Sequence, residues 1–271
     1  MLFDSHAHIN NQRYDDKKLK SLVRDIEESD VSYVMDVGFD LESSVRAIEH
    51  ASKFPWCYAV VGCHPHEAKT MDENTMIMFK GLLKKPKVKA VGEIGLDYHY
   101  NFSEPEVQQY WFRRQIQLAL ENSMPIVIHD REAHQDVMEI LKQEGAFSKN
   151  RTDQFPKQPN GLPDAKVLLH CYSGSREMAE QYIKLGATIS IAGPVTYKNA
   201  RKLIEVAKAI PIEHLLIETD SPYLTPVPHR GKPNKPPYVE FVARKIAAIK
   251  DMSYEEVAKI TCENARRFFG I

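Results

Sequence analysis

Residues 2–9 read LFDSHAHI, a short apolar run that carries two histidines two positions apart. Successive side chains of an extended strand point to opposite faces, so His6 and His8 project from the same face. Two imidazoles on one face can each offer a ring nitrogen to a divalent ion. This stretch therefore predicts a β-strand whose end supplies half of a metal site.

Seven further short runs, apolar and rich in β-branched residues, follow along the chain, and segments of helical character separate them. Eight strands alternating with helices predict an α/β fold, a closed parallel (β/α)8 barrel of the TIM type. An open doubly wound sheet is the alternative, but no GxGxxG turn follows any strand. The predicted strands cover residues 2–9, 31–38, 57–63, 89–96, 125–129, 166–171, 187–192 and 215–219.

The helix predicted over residues 103–122 has a recognisable start. Ser103 is expected to cap it, because Pro105 falls in the first turn and Glu106 stands three residues after the serine. Further helices are predicted over residues 175–185, 199–210 and 253–269, the last of which opens with a capping box.

Length and composition indicate one globular domain over residues 1–271. The chain is 43% apolar and 27% charged, which is typical of a soluble protein, and a single α/β barrel needs about this length. The polar segment 146–165 lies between the fifth helix and the sixth strand and is predicted to be a surface loop. A monomer is the simplest expectation for a closed single barrel.

Charge and targeting signals leave the cytoplasm as the expected compartment. The N-terminus lacks the basic-then-apolar order of a signal peptide, and no apolar run is long enough to span a membrane. Four cysteines show no CxxC spacing, which favours reduced thiols. A net charge of −1 leaves nucleic-acid binding open, so local groups would have to hold a polyanion.

Metal-ligand and acid–base residues stand at the end of almost every predicted strand. In a barrel of this kind, the active site lies at the C-terminal ends of the strands. Burial of so many imidazoles and carboxylates around one mouth would be costly unless cations or mutual pairing compensated them. A site for two metal ions is therefore predicted. These strand-end residues are His6, His8, His64, His66, Glu93, Asp97, His129, Asp130, Arg131, His170, Glu218 and Asp220.

Six motifs together resemble the TatD family of metal-dependent hydrolases, which are deoxyribonucleases of the amidohydrolase-like barrel superfamily. They are DSHAHIN, GCHPHEA, VGEIGLDYHY, PIVIHDREAHQD, LLHCYSGS and LLIETDSPYLTPVPHRGKPNKPPYV, in family order over residues 2 to about 240. The resemblance implies the barrel fold, one or two divalent metals, and hydrolysis of DNA phosphodiesters, often as a 3′-to-5′ exonuclease. Carried over by motif, the metal ligands are His6, His8, Glu93, His129, His170 and Asp220.

Six ligands suit two ions that share a carboxylate, and Mg²⁺, Mn²⁺ and Zn²⁺ all accept such a mixture. Glu93 is the expected bridge, because its strand lies between the two histidine groups. One ion is assigned to His6, His8, Glu93 and Asp220, and the other to Glu93, His129 and His170. Asp220 is also expected to accept the proton of the attacking water.

Contacts to the substrate are predicted from position. By resemblance, His64 contacts the scissile phosphate or assists the leaving group, and His66 has a comparable position. Arg131 follows a predicted ligand by two residues and either binds substrate or forms a salt bridge at the mouth. In the proline-rich segment 225–237, Arg230 and Lys232 are expected to bind phosphates, or else to lie in a solvated basic loop. Aromatic residues after the fourth strand could stack on a base or pack, namely Tyr98 and Tyr100.

Three functions stay open at this point. The first is a metal-dependent deoxyribonuclease that degrades single strands. The second is a hydrolase of the same barrel type acting on an amide or ester bond of a small molecule. The third is a metal-binding protein without hydrolytic activity. No GxSxG or P-loop motif occurs, which argues against an acyl-serine enzyme or a nucleotide triphosphatase. Histidines expected to be structural are His50, His134 and His214, while His99 has no assigned role.

Overall fold

Eight parallel strands form one sheet in the computed structural model, which describes residues 1–271. Each strand pairs with its neighbours in sequence, so the order in the sheet is the order in the chain. The strands are β1 (Leu2–Ala7), β2 (Val31–Val37), β3 (Cys57–Val61), β4 (Val88–Asp97), β5 (Ile126–Arg131), β6 (Val167–Leu169), β7 (Thr188–Ile191) and β8 (Leu215–Ile217).

The sheet closes on itself where the chain leaving β8 returns to β1. Ala7 forms a parallel bridge with Ser221, whose carbonyl accepts from the amide of His8 at 2.8 Å. The amide of Asp220 donates to the carbonyl of His6 at 2.9 Å. The predicted (β/α)8 barrel is therefore confirmed, and each predicted strand agrees with the observed one to within two residues at either end.

Helices surround the barrel and connect successive strands. Those predicted from the sequence are present, and their observed bounds differ from the predicted ones by at most two residues. The α-helices are α1 (Asp16–Glu27), α2 (Leu41–Lys53), α3 (Glu73–Leu82), α4 (Pro105–Glu121), α5 (His134–Gln143), α6 (Lys149–Thr152), α7 (Arg176–Lys184), α8 (Arg201–Ala209), α9 (Val239–Lys250) and α10 (Tyr254–Phe269).

Two apolar layers hold the barrel together, because alternate residues of each strand face opposite sides. A large outer cluster joins the strands to the helices. A smaller inner cluster fills the barrel below the mouth, where Phe3 stacks on Phe269 of α10 with ring centres 6.0 Å apart. The filled interior leaves the C-terminal ends of the strands as the place where polar side chains can meet. Inner residues of the strands are Phe3, Met35, Val37, Val60, Ala90, Val127, Leu168 and Leu216.

The expected cap of α4 is wrong. Glu104 occupies the N-cap position without a side-chain hydrogen bond. Ser103 instead donates its hydroxyl to the carbonyl of His66 at 2.9 Å and accepts from the amide of Lys69 at 3.1 Å. A tertiary contact has replaced the local capping bond, and it ties the loop before α4 to the loop after β3.

The expectation that residues 146–165 form a surface loop holds for most of the segment, which is irregular and largely exposed, but part of it is helical and several of its side chains are buried. The segment contains α6, and its Arg151, Gln158 and Asp164 are buried. The Arg151 guanidinium donates to the carbonyls of Met124 and Ala165, which lie at the N-terminal ends of β5 and β6. Polar composition suggested exposure, but these side chains supply hydrogen bonds that the backbone at the base of the barrel needs.

The remaining chain-wide expectations concern cysteines, membranes and three histidines. All four cysteines are free. Every helix falls short of the length and apolar character needed to cross a bilayer. His50 contacts Asp36 at 2.7 Å, His134 contacts Asp130 at 2.9 Å, and buried His214 contacts the carbonyl of Ala187 at 3.1 Å.

Candidate metal centre

The barrel mouth brings together side chains from the ends of β1, β4, β5, β6 and the segment after β8. Gly95 is what lets β4 approach β5 here. Its φ is +147°, and a Cβ at this position would lie 1.9 Å from the carbonyl oxygen of His129. Only glycine tolerates such an approach. The close contact of the two strands places Glu93 and Asp97 next to His129.

Four candidate ligand atoms from three parts of the chain surround one point. His6 Nε2 lies 3.4 Å from both His8 Nε2 and Glu93 Oε2. Asp220 Oδ1 lies 3.4 Å from His8 Nε2 and 4.0 Å from His6 Nε2. Ligands about 2.1 Å from a tetrahedral ion lie about 3.4 Å from one another. These four atoms therefore have the spacing that one divalent ion requires.

The two carboxylate oxygens of Glu93 face opposite sides of the mouth. Oε2 lies on the side of His6 and His8. Oε1 lies 2.7 Å from Nδ1 of His129 and 2.7 Å from Nε2 of His170. Glu93 is buried, with 2% of its surface exposed, so these histidines form most of its polar surroundings. A single carboxylate thus links both histidine groups.

Hydrogen bonds behind the histidines fix which ring nitrogen faces the mouth. His8 donates from Nδ1 to the carbonyl of Val37 at 2.8 Å, so its Nε2 carries the free lone pair when the ring is neutral. His170 contacts Glu218 Oε1 through Nδ1 at 3.3 Å, and that carboxylate also accepts from the amide of Cys171 at 2.7 Å. Such partners hold an imidazole in a ligating orientation.

Mutual pairing shifts the pKa values of the cluster. Burial by itself would raise the pKa of Glu93, but the charge of His170, together with the hydrogen bond from His129, holds it well below its usual value. Burial would lower the pKa of His8, yet its bond to Asp220 and the charge of Glu93 raise it to about 9. Asp220 keeps a lowered pKa despite burial because His8 donates to it. Both carboxylates are therefore ionised at neutral pH.

His64 is held as a neutral hydrogen-bond donor. Its Nδ1 accepts from the amide of His66 at 3.1 Å, so the proton of the neutral ring sits on Nε2, which lies 3.6 Å from Glu93 Oε1. Burial, reinforced by the charge of His129, lowers its pKa well below the usual value. A protonated nitrogen cannot ligate a metal, whereas it can donate to a phosphate oxygen. This geometry suits contact with a substrate.

Asp97 joins the site although no role was predicted for it. Its Oδ2 lies 2.7 Å from Nε2 of His66 and 3.3 Å from Nε2 of His129. Burial opposes ionisation, but these two histidines lower the pKa of Asp97 strongly. Asp97 therefore orients both rings from behind. Glu218 behaves similarly toward His170, and both residues had been recognised only as acidic strand ends.

Asp220 has a backbone conformation that is unusual for its residue type. Its φ is +56°, in the left-handed region that non-glycine residues rarely adopt. The bond from its amide to the carbonyl of His6 closes the barrel at this point and holds the turn. Such conformations persist where the surrounding structure determines them, often at functional sites. The turn aims the Asp220 carboxylate at His6 and His8.

A cavity of about 700 Å³ lies over these residues. Arg131 lines it, as do His64, His66 and Tyr100. Arg230 and Lys232 are exposed outside its lining, and the Arg230 guanidinium packs 4.2 Å from the ring centre of Tyr197. Tyr98 is also outside the lining, because its hydroxyl donates to Asp136 at 2.7 Å. Of the predicted substrate contacts, the cavity therefore gathers those nearest the strand ends.

The donor set fits divalent metal ions. Three groups of histidines and carboxylates have ligand atoms close enough to share an ion. Five of the six predicted ligands fall within these groups. The sixth, Asp220, contacts His8, which belongs to one of them. Nδ1 of buried His6 has no hydrogen-bond partner in the protein, whereas its Nε2 faces His8 and Glu93. The groups are His6–His8–Glu93, His6–His170–Glu218 and His64–Glu93–His129.

Barrel and donor set together define a metal-dependent hydrolase of the amidohydrolase-like class. The family model described as "TatD related DNase" matches residues 3–270. The chain therefore belongs to the TatD family.

Relatives and solved structures agree with this assignment. The chain is 44% identical to the uncharacterized metal-dependent hydrolase YabD of Bacillus subtilis, with both chains fully covered. It is 31% identical to a protein of Erwinia amylovora named 3′-5′ ssDNA/RNA exonuclease TatD, again over the full length of both. The crystal structure of YJJV, a TatD homologue of Escherichia coli, superposes with a TM-score of 0.87 at 26% identity, over 100% of this chain and 98% of that one.

Proposed function

We propose that this protein is a metal-dependent nuclease that removes nucleotides from the 3′ end of single-stranded DNA. The observation that carries the proposal is Glu93, a buried carboxylate whose two oxygens face two separate histidine groups at the floor of an open cavity. The similarity to a relative named as a 3′-5′ exonuclease supports the polarity and the substrate.

Two divalent ions, Mg²⁺, Mn²⁺ or Zn²⁺, complete the proposed site. His6, His8, Glu93 and Asp220 would hold one, and the spacing of their ligand atoms supports this set. Glu93, His129 and His170 would hold the other, since both imidazoles contact Glu93 Oε1. When bound, such a pair polarises phosphoryl oxygens and lowers the pKa of a water molecule.

Three side chains of the protein carry out the hydrolysis. Asp220, ionised and itself one of the proposed ligands, accepts the proton of the water as the water oxygen bonds to phosphorus. The bond from phosphorus to O3′ breaks, and His64 donates from Nε2 to the phosphate or to the leaving oxygen. Glu93 fixes the position of the His6–His8 group relative to the His129–His170 group, because one of its oxygens faces each.

Basic residues at and beyond the cavity rim bind the strand. Arg131 lines the cavity and is proposed to contact the phosphate next to the scissile one. Arg230 and Lys232, exposed outside the cavity, are proposed to contact phosphates further along the strand. Because these groups are local, the chain can bind a polyanion although its net charge is only −1.

A second candidate is hydrolysis of an amide or ester bond in a small molecule. The cavity volume of about 700 Å³ favours it, since pockets for small ligands have this size. The exposed basic residues favour the nuclease, because a small neutral substrate has no need of them.

We further propose that residues 1–271 act as one domain and as a monomer in the cytoplasm. The free state of all four cysteines is compatible with a reducing compartment. Size-exclusion chromatography with light scattering tests the oligomeric state, and an elution mass of two chains or more would contradict it.

Cleavage of labelled single strands tests the proposed function. Wild-type protein with Mg²⁺ or Mn²⁺ should shorten a strand with a free 3′ end and spare one whose 3′ end is blocked. EDTA should abolish the activity, and Glu93→Ala should lack it. Glu180→Ala, on α7 and outside the cavity lining, provides a matched control that should cleave normally. Undiminished cleavage by Glu93→Ala would refute the assignment, and cleavage of small amides or esters but not DNA would select the second candidate.

A further inference from the structure

The loop between β4 and α4 displays two aromatic side chains to solvent at the edge of the cavity. Tyr100 is 47% exposed and Phe102 is 55% exposed. The rings stack on each other with centres 5.4 Å apart and planes 9° from parallel. Adjacent exposed rings leave contiguous apolar surface in water, and such surface beside polar groups is typical of binding sites. We call this pair the aromatic shelf.

Hydrogen bonds at the start of the loop hold the shelf in place. Asp97 Oδ1 accepts from the amide of His99 at 2.9 Å and from the amide of Tyr100 at 3.0 Å. The other oxygen of Asp97 contacts His66 and His129, as described above. One buried carboxylate therefore fixes both a candidate metal ligand and the backbone that carries the shelf.

The far end of the loop is fixed as well. Gln108 of α4 donates to the carbonyls of Asp97 and Ser103 at 3.0 and 2.8 Å, so it spans the two ends of the loop. Ser103 in turn bonds to the loop after β3, through the contacts that displaced it from its expected cap. Because both ends of the loop are held by hydrogen bonds, less backbone entropy is lost when a ligand binds to it.

The shelf is continuous with the candidate metal centre and carries a positive charge. Tyr100 lines the same cavity as Glu93. The Arg131 guanidinium lies 4.6 Å from the centre of the Tyr100 ring, in cation–π contact. A planar apolar surface beside a fixed cation matches one nucleotide of a strand, which has a planar base next to an anionic phosphate.

We propose that the aromatic shelf binds the base of a nucleotide just 5′ of the scissile bond, while Arg131 contacts an adjacent phosphate. This inference rests on the proposed nuclease function and adds a specificity device to it. A base can lie on the shelf only when it is free of its pairing partner, so the shelf selects single strands over duplexes.

Kinetics of shelf variants form the first half of the test. Phe102→Ala should raise KM for a single-stranded oligonucleotide about tenfold with little change in kcat, because stacking binds the strand without touching the reacting atoms. Phe102→Trp should restore the wild-type KM, whereas Phe102→Leu should not. Tyr110→Ala is the matched control, since Tyr110 is 49% exposed on α4 and lies outside the cavity lining. An unchanged KM in Phe102→Ala would overturn the proposal.

Modified substrates form the second half. Replacing thymidine by non-planar 5,6-dihydrothymidine, one position at a time, should weaken cleavage by wild type at one position 5′ of the scissile bond. Phe102→Ala should show no further loss at that position. If the active wild-type enzyme cleaves equally well whatever the position of dihydrothymidine, the aromatic shelf is refuted while the nuclease function stands. If the wild type fails to cleave, the proposed nuclease function is refuted. Fluorescence anisotropy of the same labelled strands with Mg²⁺ then tests stacking by itself. Equal affinity of wild type and Phe102→Ala for these strands would refute the aromatic shelf.

Discussion

The two ends of the barrel both bury charged side chains, but they compensate the charges in different ways. At the N-terminal end, the Arg151 guanidinium and the ammonium groups of half-buried Lys87 and buried Lys166 donate to backbone carbonyls, and Lys166 also pairs with Asp164. At the C-terminal end, imidazoles and carboxylates such as Glu93 contact mainly one another. The base uses its charges to complete backbone hydrogen bonding, whereas the mouth collects ligand atoms around common points.

This difference separates stability from function within one fold. The carbonyls at the base are satisfied by side-chain donors of the protein itself. The charged groups there therefore stabilise the fold without any bound ligand. Like-charged carboxylates and closely spaced imidazoles at the mouth gain most from a cation that replaces their protons. Variants at the base should therefore change unfolding, and variants at the mouth should change metal binding and cleavage. A base variant that lost activity while folded, or a mouth variant that changed only stability, would break that separation.

Glu93→Gln should lower kcat/KM for single-stranded DNA by about 10³-fold or more, because it removes the charge that both histidine groups share. Its far-UV circular dichroism spectrum should match that of the wild type. Steady-state kinetics with Mn²⁺ measure the effect. Retention of even a tenth of wild-type activity would show that the bridge is dispensable.

Arg151→Ala should destabilise the protein by about 3 kcal/mol, since it leaves the carbonyls of Met124 and Ala165 without donors inside the fold. For a chain of this size, Tm should fall by roughly 10 °C. Below that temperature, kcat should equal the wild-type value. Calorimetry and kinetics at a temperature where both proteins are folded provide the check.

The matched control for the base is Arg176→Ala on the surface of α7, where the guanidinium pairs with Glu180 in solvent. Such exposed pairs contribute about 0–1 kcal/mol, so its Tm should barely move. If Arg151→Ala were as stable as this control, or lost kcat while folded, the division between base and mouth would not hold.

Metal affinity should rise with pH. The pKa of His8 in the metal-free protein is raised to about 9, chiefly through Asp220 and Glu93 acting against burial, and an ion binds only the neutral ring. Below this pKa the ion that His8 binds must displace the proton of His8, so affinity for that ion should increase about tenfold per pH unit and level off near pH 9. Calorimetry in buffers of different ionisation enthalpy measures the released proton.

The same group fixes the sign of the stability change. Because the folded pKa of His8 is raised, its contribution to metal-free stability is fully present below the unfolded value of about 6.5 and is lost as pH rises through about 9. The gain in Tm on adding metal should therefore widen with pH. Asp220→Asn should lower the pH at which His8 loses its proton, because it removes the charge that His8 pairs with. Affinity that is independent of pH, with no proton release, would contradict this account.

Glu218→Gln should produce the smallest effect, about a tenfold loss of metal affinity with little change in Tm. The amide oxygen can still accept from Cys171, while the charge that supports His170 is gone. Competition with a fluorescent chelator measures the change. The exposed Glu180→Gln serves as control, and equal affinities of the two variants would mean that Glu218 does not support the site.

The sequence predicted most of the barrel because its signals there are local and repeated. Alternating apolar runs and helix starts set the strands, and paired residues such as His6 and His8 pointed to the mouth. It also predicted that Asp220 would return beside β1, since only a closed barrel brings residues so distant in sequence together, and the bond from Asp220 to the carbonyl of His6 confirms this.

The failures share one physical cause, which is that tertiary hydrogen bonds outweighed local preferences. Ser103 has the sequence context of a helix cap but ties two loops together. Arg151 lies in a polar segment that resembles a loop, yet the unpaired carbonyls at the barrel base draw it inside. Asp97 looks like any acidic strand end until its four contacts are seen in three dimensions.

The central claim is that Glu93 joins two metal ions at the barrel mouth. Electron paramagnetic resonance of the protein titrated with Mn²⁺ tests it directly, because two ions that share a carboxylate are magnetically coupled. We expect two ions per chain and a coupled spectrum that Glu93→Gln abolishes. An uncoupled six-line spectrum at saturation, or a coupled spectrum that persists in Glu93→Gln, would contradict the claim.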